Sequence, residues 1–229
     1  MKMKIRQLHE WNVTPERARE IQNELRNKIK LQRLPASIQL VAGADVSYSR
    51  KLERCFAAVT VFEYPAMRIV EQCNAIGVTS FPYVPGYLSF REAPILLKAL
   101  ERLTSLPDLI MFDGQGIAHP RQMGLATHLG IILDRPTIGC AKTRLFGKYE
   151  TPMEIQGSWT ELKDQDRIIG AVLRTRDHVK PLFVSPGHKI TLDEAIEWVL
   201  RTITQYRIPE PIRRSHIAVN QLRANYENQ

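Results

Sequence analysis

The apolar run Leu109-Ile110-Met111-Phe112, followed directly by Asp113, decides the fold class of this chain. Four consecutive apolar residues before a polar turn are typical of a strand that is buried on both faces of a parallel sheet. The pattern then predicts a helix near residues 121–134 and a second apolar strand near 136–141, which ends at Lys142. This strand–helix–strand order predicts parallel pairing with a crossover helix.

Three strand-like runs precede this unit, at residues 38–48, 55–64 and 68–78. Only short polar turns separate them, which predicts an antiparallel meander. A helix from about Phe90 to Leu103 connects the meander to the strand–helix–strand unit. The predicted fold class is therefore α/β: a mixed sheet, with an antiparallel meander followed by β-α-β units, flanked by helices.

The two ends of the chain add helices and one strand pair. Thr14 and Pro15 begin an amphipathic helix over residues 14–32. A strand pair is predicted at 168–174 and 181–185, a helix at 191–204 capped by Asp193 and Glu194, and a last helix from Pro211 onward. Because there is no internal repeat or long linker, we expect residues 1–229 to form a single domain.

The composition is that of a globular protein, with 44% hydrophobic and 24% charged residues, which excludes the disordered and fibrous classes. The formal net charge of +8 favours a polyanionic partner such as nucleic acid. A solvated face of lysine and arginine is the alternative explanation, since charge alone does not identify a partner. The decision therefore rests on the motifs.

The cysteines and the apolar runs indicate a compartment. Cys55, Cys73 and Cys140 form neither a CxxC pair nor a zinc-spaced cluster, so we interpret them as buried apolar residues in a reducing environment. No apolar run reaches the length of a membrane span, and no signal-peptide core follows Met1. The expectation is a cytoplasmic protein without a membrane partner.

Carboxylates at the strand ends predict a metal site. Asp45 lies at the end of the first predicted strand and Asp113 at the end of the fourth, and side by side they would offer hard oxygen ligands to Mg²⁺ or Mn²⁺. Glu92 could complete the site, but Ser89 three residues earlier also makes it a candidate capping box. Asp113 could instead be a turn residue before Gly114. Asp45 lies within an apolar run, where an unpaired carboxylate is costly, so a functional role is favoured there.

Basic side chains near these carboxylates have two interpretations each. Lys142 could contact a phosphate or be a solvated lysine. His216, on the last helix, could be a ligand, a proton shuttle or a structural residue. His119 could lie near the phosphate or on a surface loop, and His188 is expected in a turn.

The segment Pro82-Tyr83-Val84-Pro85-Gly86 presents an aromatic residue between two prolines. Prolines stiffen a loop, and an aromatic wedge can enter a base stack and displace a base. Gly86, Gly114 and Gly116 would then let the backbone approach the displaced base in a pocket. The alternative is an ordinary surface turn with a packed tyrosine.

Taken together, these segments resemble the endonuclease V family, from about Leu40 to His216. The segments that carry the resemblance are Val41–Tyr48, Pro82–Gly86 with Arg91-Glu92, Asp113–Arg121, Ile138–Lys142 and Val184–His188. The resemblance implies an RNase H-like fold and Mg²⁺-dependent hydrolysis of the second phosphodiester 3′ to a hypoxanthine base, with Mn²⁺ as a substitute cation. The products would carry 3′-hydroxyl and 5′-phosphate ends. The implied partner is DNA containing deoxyinosine or RNA containing inosine, and we expect a monomer.

The resemblance also implies a role for each site residue. Asp45, Glu92 and Asp113 would bind the metal, Lys142 would contact the phosphate, and His216 would lie beside the metal. Tyr83 would be the wedge. The residues expected to bind substrate are those of the wedge and base pocket: Pro82, Tyr83, Val84, Pro85, Gly86, Gly114, Gly116 and His119.

Two other hypotheses are compatible with these residues. One is another RNase H-like metal nuclease that is directed by structure or by RNA, and substrate preference would separate it from the first. The other is a nucleic-acid binder without catalysis, which metal-dependent cleavage would exclude.

Overall fold

The computed structural model describes residues 2–228 and is built on one eight-stranded mixed sheet. The strands are β1 (Leu40–Ser49), β2 (Arg54–Glu63), β3 (Arg68–Gly77), β4 (Leu109–Phe112), β5 (Thr137–Ala141), β6 (Trp159–Asp164), β7 (Arg167–Leu173) and β8 (Leu182–His188). The helices are α1 (Pro15–Arg26), α2 (Leu88–Glu101), α3 (Leu125–Leu133), α4 (Leu192–Arg201) and α5 (Glu210–Glu227). Among these residues, no helix is both long and apolar enough to cross a membrane.

The strand order is β3-β2-β1-β4-β5-β8-β7-β6, which confirms the predicted fold class. Strands β1 to β3 form the antiparallel meander, and β4 lies parallel to both β1 and β5. Strands β8, β7 and β6 extend the sheet by antiparallel pairing. The sheet is therefore of the RNase H-like type, with its parallel strands at the centre.

Helices cover both faces of the central strands, which explains why β4 is apolar throughout. Ile110 and Phe112 belong to the core beneath α2 and α3, whereas Leu109 and Met111 face the core beneath α4 and α5. All four side chains are fully buried. α1 packs outside the first layer, against Phe90 of α2 and Ile131 of α3. Burial on both faces leaves only strand ends and loops for polar chemistry.

Several predicted element bounds were wrong. α1 ends at Arg26 and not at residue 32, α3 begins at Leu125, and β6 was not predicted. His188 is not a turn residue: it is buried as the last residue of β8. The Thr14 cap and the Thr191–Glu194 capping box are confirmed, although Asp193 makes no cap hydrogen bond.

The cysteines largely follow the prediction. All three are free thiols, and Cys55 and Cys140 are buried. Burial raises the pKa of both thiols, that of Cys55 to about 11, so both are protonated at neutral pH. Cys73, on the edge strand β3, is only half-buried.

Candidate active site

Asp45 and Asp113 lie side by side because of the parallel register between β1 and β4. The last residues paired between the two strands are Ala44 and Phe112, and each aspartate is the residue that comes next along its chain segment. Asp113 is at the end of β4 as predicted, but Asp45 lies within β1, which continues to Ser49 along β2. Asp45 therefore projects just where the parallel pairing stops, at the carboxyl end of β4. That is the edge at which α/β sheets commonly place their sites.

His216 reaches this edge because α5 packs unusually closely on β1. A Cβ atom at Gly43 would overlap the backbone of Pro211 in the first turn of α5, so only glycine allows the approach. Ser215 Oγ donates to the carbonyl oxygen of Gly43 at 2.8 Å and fixes the helix. His216 then donates through Nδ1 to Oδ2 of Asp45 at 2.6 Å.

Asp45, Asp113 and His216, hereafter the Asp45 cluster, each offer one ligand atom within 4.8 Å of the others. Burial, and next the charge of Asp45, raise the pKa of Asp113. The hydrogen bond to Asp45 raises the pKa of His216. The crowded negative charge therefore makes Asp113 a weaker acid and His216 a stronger base than in water.

Lys142 follows β5 and forms an ion pair with Asp113. Its side chain remains 38% exposed, so the ammonium group has access to solvent as well as to the cluster. The alternative of a purely solvated lysine was wrong. A lysine in this place can exchange a carboxylate for a phosphate oxygen without moving far.

Glu92 lies in the first half of α2, next to the Asp45 cluster but not among the atoms grouped within 4.8 Å. Burial raises the pKa of its carboxyl to about 8, with further contributions from the charges of Asp45 and Asp113. The capping-box alternative was wrong, because α2 begins at Leu88 without a side-chain cap. Ser89 Oγ instead contacts Nδ1 of His128 at 3.0 Å. Glu92 is thus a buried carboxyl group close to the charges of two aspartates, and it does not cap the helix.

The donor set fits a hard divalent cation. Two carboxylates and an imidazole converge, and a cation at this site could displace the proton that the raised pKa of Glu92, about 8, leaves on its carboxyl group. Such a set is costly for the fold to retain without a cation, because like charges are held together in a largely buried place. The Asp45 cluster could therefore hold a divalent cation.

A cavity of about 450 Å³ opens beside the cluster. Asp113 and Lys142 line it, together with Gly114, Gln115 and His119. The segment 81–86 is hereafter called the Tyr83 loop. Four of its residues also line the cavity: Tyr83, Val84, Pro85 and Gly86.

Tyr83 is 74% exposed, so the alternative of a packed tyrosine in a surface turn was wrong. Gly86, with φ of +82°, makes the left-handed turn that returns the loop to α2. Pro82 and Gly116 are not among the residues that line the cavity. Gly116 lies behind it, where its amide donates to Ser185 Oγ at 2.8 Å.

One carbonyl oxygen anchors the Tyr83 loop. Gly86 O accepts from Gln22 Nε2 at 3.0 Å, from Arg121 Nη2 at 2.9 Å and from His119 Nε2 at 2.8 Å. Burial lowers the pKa of His119 to about 4, and its Nδ1 accepts from the amide of Arg121 at 3.1 Å. His119 is therefore a buried, neutral residue that positions the loop, and the surface-loop interpretation was wrong.

Sequence reasoning missed Gln22 and assigned no role to Arg121. Gln22 is a fully buried polar residue on the apolar face of α1, and such a residue needs a partner. The sequence shows this polar residue between the apolar residues Ile21 and Leu25, but it does not show the distant hydrogen-bond partner of Gln22. Arg121 also stacks on Tyr87, with Cζ at 4.4 Å from the ring centre.

Comparison with known proteins agrees with this geometry. The family model for Endonuclease V matches residues 23–217. Endonuclease V of Dehalococcoides mccartyi is 49% identical over 222 residues, which cover 97% of this chain and all of that protein. The crystal structure of Endonuclease V from Bacillus subtilis superposes with a TM-score of 0.94 at 34% identity, over 99% of both chains.

A solved complex adds a ligand to the comparison. Endonuclease V of Ciona intestinalis, bound to a 24mer DNA containing an inosine followed by a ribo-adenosine, has a TM-score of 0.81 at 26% identity. The match covers 92% of this chain and 98% of that one. The chain described here therefore belongs to the Endonuclease V family, whose members are nucleases that act on DNA.

Proposed function

We propose that this protein recognises a hypoxanthine base in DNA and hydrolyses the second phosphodiester bond 3′ to it. The products would carry 3′-hydroxyl and 5′-phosphate ends. The observation that carries the proposal is the Asp45 cluster, whose Asp113 lines a cavity that the exposed Tyr83 also lines. The inosine-containing DNA bound by the Ciona relative supports the choice of base.

We assign the metal site to Asp45, Asp113 and Glu92, with Mg²⁺ as the cation and Mn²⁺ as a substitute. Bound there, the cation would supply Lewis acidity that activates water and neutralises charge on the phosphate. Asp45 is held in place from two sides. Its Oδ1 accepts from the amide of Val46 at 2.8 Å, and its Oδ2 accepts from His216. His216 thus orients Asp45 through Nδ1, which leaves Nε2 as the ring nitrogen that can take up a proton.

Lys142 would hold the scissile phosphate. Its present partner Asp113 is among the residues that would hold the cation, so the ammonium group would be available to a phosphate oxygen. A lysine suits this role, because a compact point charge can follow the phosphate as its geometry changes.

Recognition would depend on the Tyr83 loop and the cavity behind it. Tyr83 would enter the base stack, and Pro82 and Pro85 would limit the entropy lost on ordering the loop. The displaced base would occupy the 450 Å³ cavity, which is within the range of small-ligand sites. The remaining substrate-binding residues would shape that cavity directly or support its walls: Val84, Gly86, Gly114, Gly116 and His119.

RNA containing inosine is a second candidate substrate. The DNA in the Ciona complex carries a ribonucleotide directly after the inosine, so that relative accommodates a 2′-hydroxyl there. We further propose that residues 1–229 act as one RNase H-like domain, since the eight strands form a single sheet.

The test is a denaturing-gel cleavage assay in Mg²⁺. It compares duplex DNA, single-stranded DNA and RNA that each contain one inosine with inosine-free controls. We expect a nick one nucleotide beyond the 3′ phosphate of the inosine, and its loss in EDTA. Binding without a nick would support a non-catalytic binder, and cutting that ignores inosine would support a structure-directed nuclease.

A further inference from the structure

Tyr83 lines two cavities. The first is the one that Gly114 and His119 also line, and the second has a volume of about 400 Å³. The β1–β2 hairpin and the first turns of α2 enclose this second cavity. Its walls include Val46, Tyr48, Arg50, Tyr83, Arg91 and Glu92.

The reacting centre lies between the two cavities. Asp113 and Lys142 line the first cavity, whereas Glu92 lines the second. A DNA strand that runs from the first cavity to the second can therefore pass the carboxylates on the way. The second cavity is then the place for the part of the strand beyond the cut.

The wall of the second cavity is rigid and positively charged. Arg91 stacks on Tyr48, with Cζ at 4.4 Å from the ring centre, and donates to the carbonyl oxygen of Phe81 at 2.8 Å. The Tyr48 carbonyl accepts from Arg223 at 3.3 Å. Arg50, in the turn that follows β1, is exposed, so its guanidinium group can meet a ligand at little cost in desolvation. A guanidinium group in this position suits a phosphate oxygen.

We propose that the second cavity binds the nucleotide directly beyond the cut, with Arg50 contacting the phosphate on its 3′ side. This assignment rests on the proposed function, in which the cut lies 3′ to the recognised base. It gives the displacement of the cut from the base a structural cause, because the two cavities hold the strand at two points with the carboxylates between them.

The experiment pairs one substitution with one change in the DNA. Single-turnover cleavage is measured on inosine DNA in which an uncharged methylphosphonate replaces the first phosphate beyond the scissile one. The proteins are the parent, Arg50→Gln and the matched control Arg33→Gln. Arg33 is exposed on the segment that leads into β1, at the opposite end of that strand from the β1–β2 turn.

We expect the methylphosphonate to slow the parent about tenfold, the cost of one charged hydrogen bond. Arg50→Gln should slow the unmodified DNA by a similar factor and be little affected by the methylphosphonate. Arg33→Gln should respond to the methylphosphonate as the parent does. A second methylphosphonate DNA, modified 5′ to the inosine, should slow the parent and Arg50→Gln by equal factors.

The assignment of Arg50 would be overturned if the methylphosphonate slowed Arg50→Gln by the same factor as the parent, so that the two rate losses multiply. With the nick still mapped to the expected bond, this result would leave the proposed function intact. A parent nick at another bond would overturn the proposed function itself, and the second-cavity assignment with it. Melting temperatures of both variants equal to that of the parent would exclude loss of folding as the cause.

Discussion

The Asp45 cluster and the Tyr83 loop lie side by side but are built in opposite ways. Asp45 is 8% exposed and held by strand register, by the Gly43–Pro211 packing and by His216. Tyr83 is 74% exposed, and its loop is anchored at Gly86 by three donors. Under the proposed function, the sheet supplies the chemistry and the loop supplies the choice of substrate. Substitutions should therefore separate the two.

The largest effect is expected for Asp45→Asn. Loss of this carboxylate should slow single-turnover cleavage by about a thousandfold, because it removes a cation ligand and the acceptor for His216. Gel assays of inosine DNA in Mg²⁺ measure the rate. Cleavage at the parental rate would contradict the assignment of Asp45 to the metal site.

Tyr83→Ala is expected to act on substrate engagement. An aromatic ring stacked on a base contributes about 1–3 kcal/mol, so binding of inosine DNA should weaken by the matching factor. Fluorescence anisotropy in EDTA measures this binding without cleavage. Tyr83→Phe is the matched control and should bind as the parent does, and equal binding by all three proteins would argue against a stacking role.

Cation affinity should depend on pH through Glu92. Its pKa of about 8 means that the carboxyl is protonated below that pH, and a bound cation must displace the proton. The affinity for Mn²⁺ should therefore fall by up to about tenfold for each unit as the pH decreases from 8 to 6. Calorimetric titration measures it, and Glu92→Gln should bind more weakly with less dependence on pH. If the affinity for Mn²⁺ depended on pH equally in the parent and in Glu92→Gln, the assignment of Glu92 to the metal site would be wrong.

The smallest effect on cleavage is expected for Arg121→Met. The carbonyl of Gly86 would lose one of its three donors, and the buried Gln22 would lose the Arg121 donor to its Oε1. The stacking on Tyr87 would also be lost, so the free energy of unfolding should fall by about 2 kcal/mol. Denaturant titration measures this change. The position of the nick should not change, and a shifted nick would show that the anchor also sets the register of the DNA strand.

The central part of the fold and the two aspartates were predictable because their signals are local. A fully apolar β4 requires a buried parallel strand, and parallel neighbours that end together bring Asp45 and Asp113 to one edge. β6 escaped prediction because it is an edge strand in which only Leu162 is fully buried. The segment Pro186-Gly187 reads as a turn, yet it belongs to β8 because Gly187 packs closely against Thr137.

His216 and the Gly86 anchor could not be predicted from local pattern. His216 meets Asp45 across 171 positions of sequence, and the meeting depends on α5 contacting Gly43. Gln22 and Gly86 are 64 positions apart. Such contacts follow from tertiary packing, so residue type could nominate His216 and His119 but could not separate their roles.

The most direct test of this division of labour is to measure binding and cleavage on the same two variants. Binding is expressed as the affinity for inosine DNA divided by that for inosine-free DNA, in EDTA, and cleavage is measured in Mg²⁺. Asp45→Asn should keep the parental affinity ratio and lose cleavage, whereas Tyr83→Ala should lose much of the ratio and still cut inosine DNA at saturating protein. If Asp45→Asn lost the ratio, or Tyr83→Ala lost all cleavage at saturation, the cluster and the loop would not be separable.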